Sequence, residues 1–446
     1  MQNIFNVSFL PKELTGEPEI VAMLQAFYSR SHMAITDRVD SLGDSVEKIK
    51  DSLKAWYIGY NHASIGDCGY VPIFFENVSI LFAKALQDCS LYNGQETSSR
   101  YIDFTKQPCV SPVTALSKIQ TELLNFVVRA TPEVIEHVKA CNPQGEESDA
   151  VYHRTAAARA FDILRGYIPA GACTNLSGIF SLRKWREHLL FLKNHPLNEV
   201  RTIATYTLRE LYAQYPSSFK EEDSSNVVED VDVNHYYQVP PFKNDFSCVG
   251  PVEEDYVLYR NKFEALPKRL ALTRVHAAFD IDFGSFRDIQ RHRNGVCFMP
   301  PILGTVGASL TPATVSSRME TWYVDSLPKH LQVEAIQLLV DSYNAICDFL
   351  GSPSFWASDD ITQYELQYYF PMATLVSAFF DYPLTNAVYI CELRTSQTVH
   401  ATLRKHMQKL AAYLESLFPM LQVHSDSSTE SWTTKRGSQT ILRREG

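Results

Sequence analysis

The sequence predicts an α+β protein made of two tandem copies of one unit, each a small sheet flanked by helices, packed pseudo-symmetrically. Three observations predict it: anchor segments recur at a nearly constant offset, β-rich runs fall early in each copy, and helical periodicity closes each copy. Asp88-Cys89-Ser90 and Arg291-His292-Arg293 each follow an amphipathic run and lie 203 residues apart. Pro169 and Pro371 centre similar apolar segments 202 apart, Phe191–Lys193 and Glu392–Arg394 lie 201 apart, and Pro216 and Pro419 lie 203 apart. Chance agreement among amphipathic helices is the competing explanation.

In chain order, apolar residues at helical spacing predict helices over 17–32 and 44–60. Alternation and β-branched content predict strands within 70–79 of the first copy and 269–285 of the second. Longer helical patterns over 198–215 and 399–418 close the copies. The expected organisation is a first unit over 1–218, a polar and acidic linker over 219–254, a second unit over 255–424 and a polar tail over 425–446.

Composition narrows the function. With 45% hydrophobic and 21% charged residues among 446, the chain is neither disordered nor collagen-like. A net charge of −10 excludes a general polyanion binder, so no nucleic-acid partner is expected and any anionic ligand must be held by a local arginine cluster. The nine cysteines include no C-x-x-C pair, which fits reduced thiols. The sequence carries neither a secretory leader nor an apolar run long enough for a membrane span, so a soluble cytoplasmic protein is expected.

The common phosphate-loop, dinucleotide, nucleophile-elbow and zinc-protease motifs are missing, and the thirteen histidines show no metal-ligand spacing. Three constellations remain. Arg287, Arg291, His292 and Arg293 crowd cations at the end of a helical run. They either hold an anion, pair with acids such as Asp288, or form a solvated basic face. Gln95 to Tyr101 gathers a carboxylate, hydroxyls, a cation and an aromatic ring in a predicted loop, which is either a ligand-binding segment or a hydrogen-bonded turn. Arg165, Arg183 and Arg394 sit singly in apolar stretches and need partners, whether structural carboxylates or a ligand. His62, read alone, is an ordinary satisfied side chain.

Together these pieces resemble the flavin-dependent thymidylate synthases. That family carries R-H-R, seven residues, then S and usually R-Y. Here the first copy reads Asp88-Cys89-Ser90, seven residues, Ser98, then Arg100-Tyr101. The second reads Arg291-His292-Arg293, seven residues, then Pro301. The segment from His62 to Asp67 resembles the family's histidine segment, with Asp67-Cys68 where Glu-His is usual. Arg165, Arg183 and Arg394 resemble its helical arginines. Each copy thus keeps the half-motif that the other has lost, which implies one composite site between copies and a homodimer mimicking the family's tetramer.

The resemblance implies a flavoprotein methyltransferase of dTMP biosynthesis. Such an enzyme methylates dUMP at C5 using FAD, NADPH and 5,10-methylenetetrahydrofolate, without an enzymic cysteine nucleophile or a metal. It further implies that Glu96, Ser98, Arg100, Arg165 and Arg394 bind the nucleotide, and that His62, Arg183, Arg291, His292 and Arg293 bind the flavin. Ser98, Arg291 and Arg394 would lie at the chemistry. The alternatives are a related flavoenzyme acting on another pyrimidine nucleotide or one-carbon product, and a non-catalytic nucleotide- or flavin-binding homologue.

Overall fold

The computed structural model describes residues 5–42, 46–55, 63–97, 103–225, 245–251, 260–302, 309–356, 362–429 and 432–436. His62, Ser98 and Arg100 lie outside the described residues. The fold is α+β, with small antiparallel sheets among many helices. The chain divides into two compact units that are discontinuous in sequence. One comprises Met1–Ser98 and Cys173–Tyr236, the other Ser99–Ala172 and Tyr237–Gly446.

The first unit is built on β1 (Asn6–Phe9), β2 (Tyr70–Ser79) and β3 (Cys173–Ser181), ordered β1-β2-β3. Alternation in β2 turns Val71, Ile73 and Phe75 inward and leaves Tyr70 and Phe74 outside. The β2–β3 register slips between Phe75 and Val78. Asn77 absorbs the slip at a φ of 54°, and its N–H donates to the Asn175 side-chain oxygen (2.9 Å). Each of these two strands runs straight into a helix. Ser79 Oγ caps Ile80–Gln87 by accepting from Phe82 N, and Ser181 Oγ caps Leu182–Leu192 by accepting from Lys184 N. Asn198–Gln214 follows. The core centres on Trp185, whose indole N–H donates to Val71 O (2.7 Å) and whose ring meets Phe180 edge-on at 4.6 Å.

In the second unit, β4 (Asp245–Val249), β5 (Arg274–Asp282), β6 (Val296–Phe298) and β7 (Leu375–Pro383) form one sheet ordered β4-β5-β7-β6. The strand-to-helix succession occurs here too: β5 leads into Phe283–Ile289, and β7 into Leu384–Arg394 and then Ala401–Leu417. Asp282 takes the capping role, its Oδ1 accepting from Ser285 N (2.8 Å). The helices Ser117–Cys141, Asp149–Leu164 and Lys329–Leu350 belong to this unit.

A short ladder joins the segments around Pro169 and Pro371. Ala170 N donates to Phe370 O (2.8 Å) and Met372 N to Ile168 O (2.9 Å). Gly171 N donates to Tyr368 O (2.8 Å) and Ala373 N to Gly166 O (2.8 Å). Shifting every residue of one bond by the 202-residue offset generates its mate in each pair.

The stretch 219–254, read from composition as a linker, carries structure at both ends. Phe219 and Asp223 are buried, and Asp223 receives a two-pronged hydrogen bond from Arg186 (2.6 and 2.7 Å); β4 occupies the other end. Polar composition concealed both, because a paired carboxylate and a short edge strand leave no apolar periodicity. Part of the tail is likewise held, with Arg404 bonded to Ser428 (3.0 Å) and ion-paired with Asp426 (3.2 Å). Among the described residues, no helix is long and apolar enough to cross a membrane.

Candidate nucleotide site

In the second unit the helix Phe283–Ile289, with Gln290 as its C-cap, leads into Arg291-His292-Arg293. His292 N donates to Ile289 O (2.9 Å), so the cations sit at a helix C-terminus, where positive charge is favoured. β6 begins three residues after Arg293 and pins the segment to β7. Arg291 is exposed, while His292 and Arg293 are half-buried.

Arg394, the last residue of Leu384–Arg394, reaches this turn. Its Nε donates to His292 Nε2 (2.8 Å) and its Nη2 to the Asp288 carbonyl (2.9 Å). Arg165, at the end of Asp149–Leu164, donates from Nη1 to Asp288 Oδ2 (3.0 Å). It is 6% exposed. Burial alone would lower its pKa, but the carboxylate of Asp288, with Tyr323 and Asp282, more than offsets this and holds the guanidinium charged. Asp288 therefore joins Arg165 and Arg394. The sequence offered it only as one possible partner for the arginines, since its neighbours along the chain do not reveal that Arg165 arrives from far upstream.

Behind this cluster, Asp282 Oδ1 also accepts from the Tyr323 hydroxyl (2.7 Å). Asp282 Oδ2 and the Nε and Nη2 of Arg165 are buried without a well-formed hydrogen bond. Gly284 makes room there, since a Cβ at that position would lie 3.2 Å from Asp282 Oδ1 and 3.6 Å from Arg165 Nε.

Burial and the neighbouring Arg394, Arg291 and Arg293 push the His292 pKa down to about 3, with Asp288 opposing. His292 is thus neutral at physiological pH and accepts from Arg394 through Nε2. Its folded pKa lies below the ordinary value of 6.5, so its contribution to stability is complete above that value. The contribution drains away as pH falls from 6.5 toward 3. In a histidine NMR titration the His292 ring is expected to remain neutral from pH 8 to about 4.5. Arg394→Ala, which removes a repelling cation, should move its titration upward. Titration near pH 6.5 in the unaltered protein would contradict this geometry.

In the first unit, residues 93–97 run extended along β3, so the described part of the loop expected over 95–101 is paired to the sheet instead. Ile179 N donates to Asn93 O, Ser177 N to Gln95 O (both 2.7 Å), and Thr97 N to Asn175 O (2.8 Å). Glu96 accepts from Gln87 Nε2 (2.8 Å). Arg183 forks onto Asp67, Nε to Oδ1 at 2.8 Å and Nη2 to Oδ2 at 2.6 Å, with both side chains 38% exposed. All nine cysteines are free thiols, and burial raises that of Cys109 to about 12.

Residues 12–217 match the family model described as thymidylate synthase complementing protein. An UPF0159 protein of Chlamydia pneumoniae is 24% identical over 459 aligned positions, covering 87% of this chain and 82% of that one. An UPF0159 protein of Chlamydia muridarum is 23% identical, covering 81% and 77%. A crystal structure of thymidylate synthase X from Helicobacter pylori, solved with FAD and dUMP, is 16% identical with a TM-score of 0.30, covering 50% of this chain and 100% of that one. A second such structure from that organism gives 16% and 0.28, covering 46% and 96%. Over residues 12–217, somewhat under half of its length, the chain is thus similar to the thymidylate synthase complementing protein family.

Proposed function

We propose that the chain is a flavin-dependent enzyme methylating dUMP at C5 to dTMP, with methylenetetrahydrofolate as carbon donor and NADPH as reductant. The observation that carries this reading is the meeting of Arg165 with Asp288, beside His292 and Arg394. Arg165 comes from the first sequence repeat and the others from the second, which supports a site drawn from both. The family-model match and the Pro169–Pro371 ladder, whose bonds interchange under the repeat offset, support duplication as its origin.

The donor set fits an anionic nucleotide and a flavin. Arg291, Arg293 and Arg394 bring fixed positive charge, and neutral His292 keeps one of them oriented. Arg100 and Arg394 would hold phosphate and base edge, with Glu96 and Ser98 orienting the ring and Arg165 acting from behind through Asp288. His62, Arg183, Arg291, His292 and Arg293 would hold the flavin. FAD, when bound and reduced by NADPH, supplies the hydride; the protein binds, orients and excludes water. A cytoplasmic homodimer would bring together four repeats.

A second reading, a non-catalytic nucleotide- or flavin-binding homologue, is favoured by the commitment of Arg183, one of the arginines proposed for the flavin, to Asp67. An anaerobic assay with dUMP, FAD, NADPH and methylenetetrahydrofolate separates the two, with mass in solution measured alongside. Formation of dTMP and release of the C5 hydrogen are expected, together with a loss of at least 100-fold in Arg394→Ala, roughly the effect of removing one preorganised charge donor. Nucleotide binding with no turnover by the unaltered protein would leave the second reading standing.

A further inference from the structure

The helix Leu384–Arg394 carries Arg394 to the Arg-His-Arg turn, yet Arg394 is its last residue and Thr395 its cap. Helix ends fray because their final carbonyls lack partners within the helix. A guanidinium carried there keeps its aim only if something else fixes the last turn.

A polar segment beyond the helix Ala401–Leu417 does so. His424 N donates to Glu392 Oε1 (3.1 Å) and Asp426 N to Thr395 Oγ1 (2.9 Å), so two backbone N–H groups of one segment straddle Arg394. Both anchors, Glu392 and Thr395, are fully buried. Glu392 also pairs with Arg260 and accepts from Phe263 N (2.8 Å), which engages both of its oxygens. The segment is itself fastened to the helix Ala401–Leu417. Asp426 Oδ1 accepts from Ser428 N (3.0 Å) and pairs with Arg404 (3.2 Å), whose Nε donates to Thr395 O (2.6 Å). Gln408 Nε2 donates to the carbonyls of Asp426 and Ser428 (2.8 and 3.0 Å).

The first unit has a counterpart with a different outcome. Asp223 and Arg201 lie 203 positions before Asp426 and Arg404. Arg201 Nη1 likewise bonds carbonyls just past the shorter helix, those of His195 and Pro196 (2.7 and 2.8 Å). There Lys193, the repeat counterpart of Arg394, is itself consumed, its Nζ donating to Asp223 O (2.8 Å). In the second unit the returning segment grips the residues on either side and leaves the Arg394 head to His292 and the Asp288 carbonyl.

We propose that residues 424–428 are a positioning strap for Arg394, fixing its guanidinium against His292 through Glu392 and Thr395. That the strap thereby aims Arg394 at a nucleotide rests on the function proposed above. Misplacing such a group by about 1 Å can cost on the order of 100-fold in rate.

The test compares Thr395→Val, which keeps the shape but removes the acceptor, with Thr395→Ser, which keeps the acceptor. Asp426→Ala, at a side chain 31% exposed, loosens the strap without opening the core. Histidine NMR of the folded full-length variants should show the His292 titration moved up by at least about one pH unit in Thr395→Val and Asp426→Ala. That is the direction expected of Arg394→Ala, since a repelling cation moves away. Thr395→Ser should leave it in place. A loss of global stability alone does not move this signal, because only folded molecules are read. Isothermal titration with dUMP should show binding weakened at least tenfold in the first two variants and restored in Thr395→Ser. An unmoved His292 titration in Asp426→Ala, or unchanged dUMP affinity where His292 has moved, would overturn the strap. Absence of dUMP binding by the unaltered protein strikes the nucleotide reading instead, and the His292 titration still decides whether the strap positions Arg394.

Discussion

Asp288→Ala is expected to destabilise the protein by about 3 kcal/mol, toward the low end for breaking a buried ion pair because Asp288 itself is partly solvated. The loss falls on Arg165, whose charge is left among buried groups with Nη1 unbonded. Arg394 should keep its second bond, because Nη2 donates to the Asp288 carbonyl and alanine retains that atom. The two arginines therefore separate in a double-mutant cycle by chemical denaturation. Arg165→Met combined with Asp288→Ala should be more stable than Asp288→Ala alone, since the guanidinium that lost its nearest carboxylate is gone too. Arg394→Ala combined with Asp288→Ala should simply add. Equal behaviour of the two pairs would show that Asp288 does not serve Arg165 as its counter-ion.

The same residue shows what was legible in the sequence. Periodicity reports which face of a segment is buried, and it located the elements well. The pattern over 198–215 became Asn198–Gln214, that over 399–418 became Ala401–Leu417, and 70–79 is β2. The requirement that Arg165, Arg183 and Arg394 find partners was also legible, and each has one. Which partner each would find was not. Arg165 meets Asp288 across 123 positions, Arg183 meets Asp67 across 116, and Arg394 meets His292 across 102. Nothing local encodes such meetings, because strand pairing and helix packing bring these residues together. The short edge strands β1 and β4 escaped notice because four or five residues give too little alternation to detect. The extended course of residues 95–97, the described part of the segment read as a loop, escaped for a different reason: Gln, Glu and Thr carry no alternation of their own, and hydrogen bonds to the edge of β3 hold them straight.

Gly171→Ala should be similarly costly, by steric crowding rather than charge. A Cβ there would fall 2.6 Å from Val110 O, 2.7 Å from Tyr368 O and 2.6 Å from Gln120 Nε2. Two of these are backbone carbonyls already bonded to Gln120 Nε2 (2.9 and 3.0 Å), so the side chain cannot withdraw without stranding them. The backbone must shift, which loosens the bond from Gly171 N to Tyr368 O and that from Val110 N to Gly171 O (both 2.8 Å). A loss of about 3 kcal/mol is expected, the upper part of the overpacking range, measured as a lowered denaturation midpoint. Gly145→Ala, where the only close atom is the mobile Glu147 Oε2 at 3.1 Å, should stay within about 0.5 kcal/mol. The contrast is informative because the repeat counterpart of Gly171 is already alanine. Ala373 is fully buried and makes the mate of the same hydrogen bond. The ladder's geometry therefore accepts a methyl group in one half, and Gln120 with its two carbonyls excludes it from the other. If Gly171→Ala proves harmless, that packing is softer than its hydrogen bonds imply, and the two halves of the ladder are interchangeable in side chain as well as in backbone.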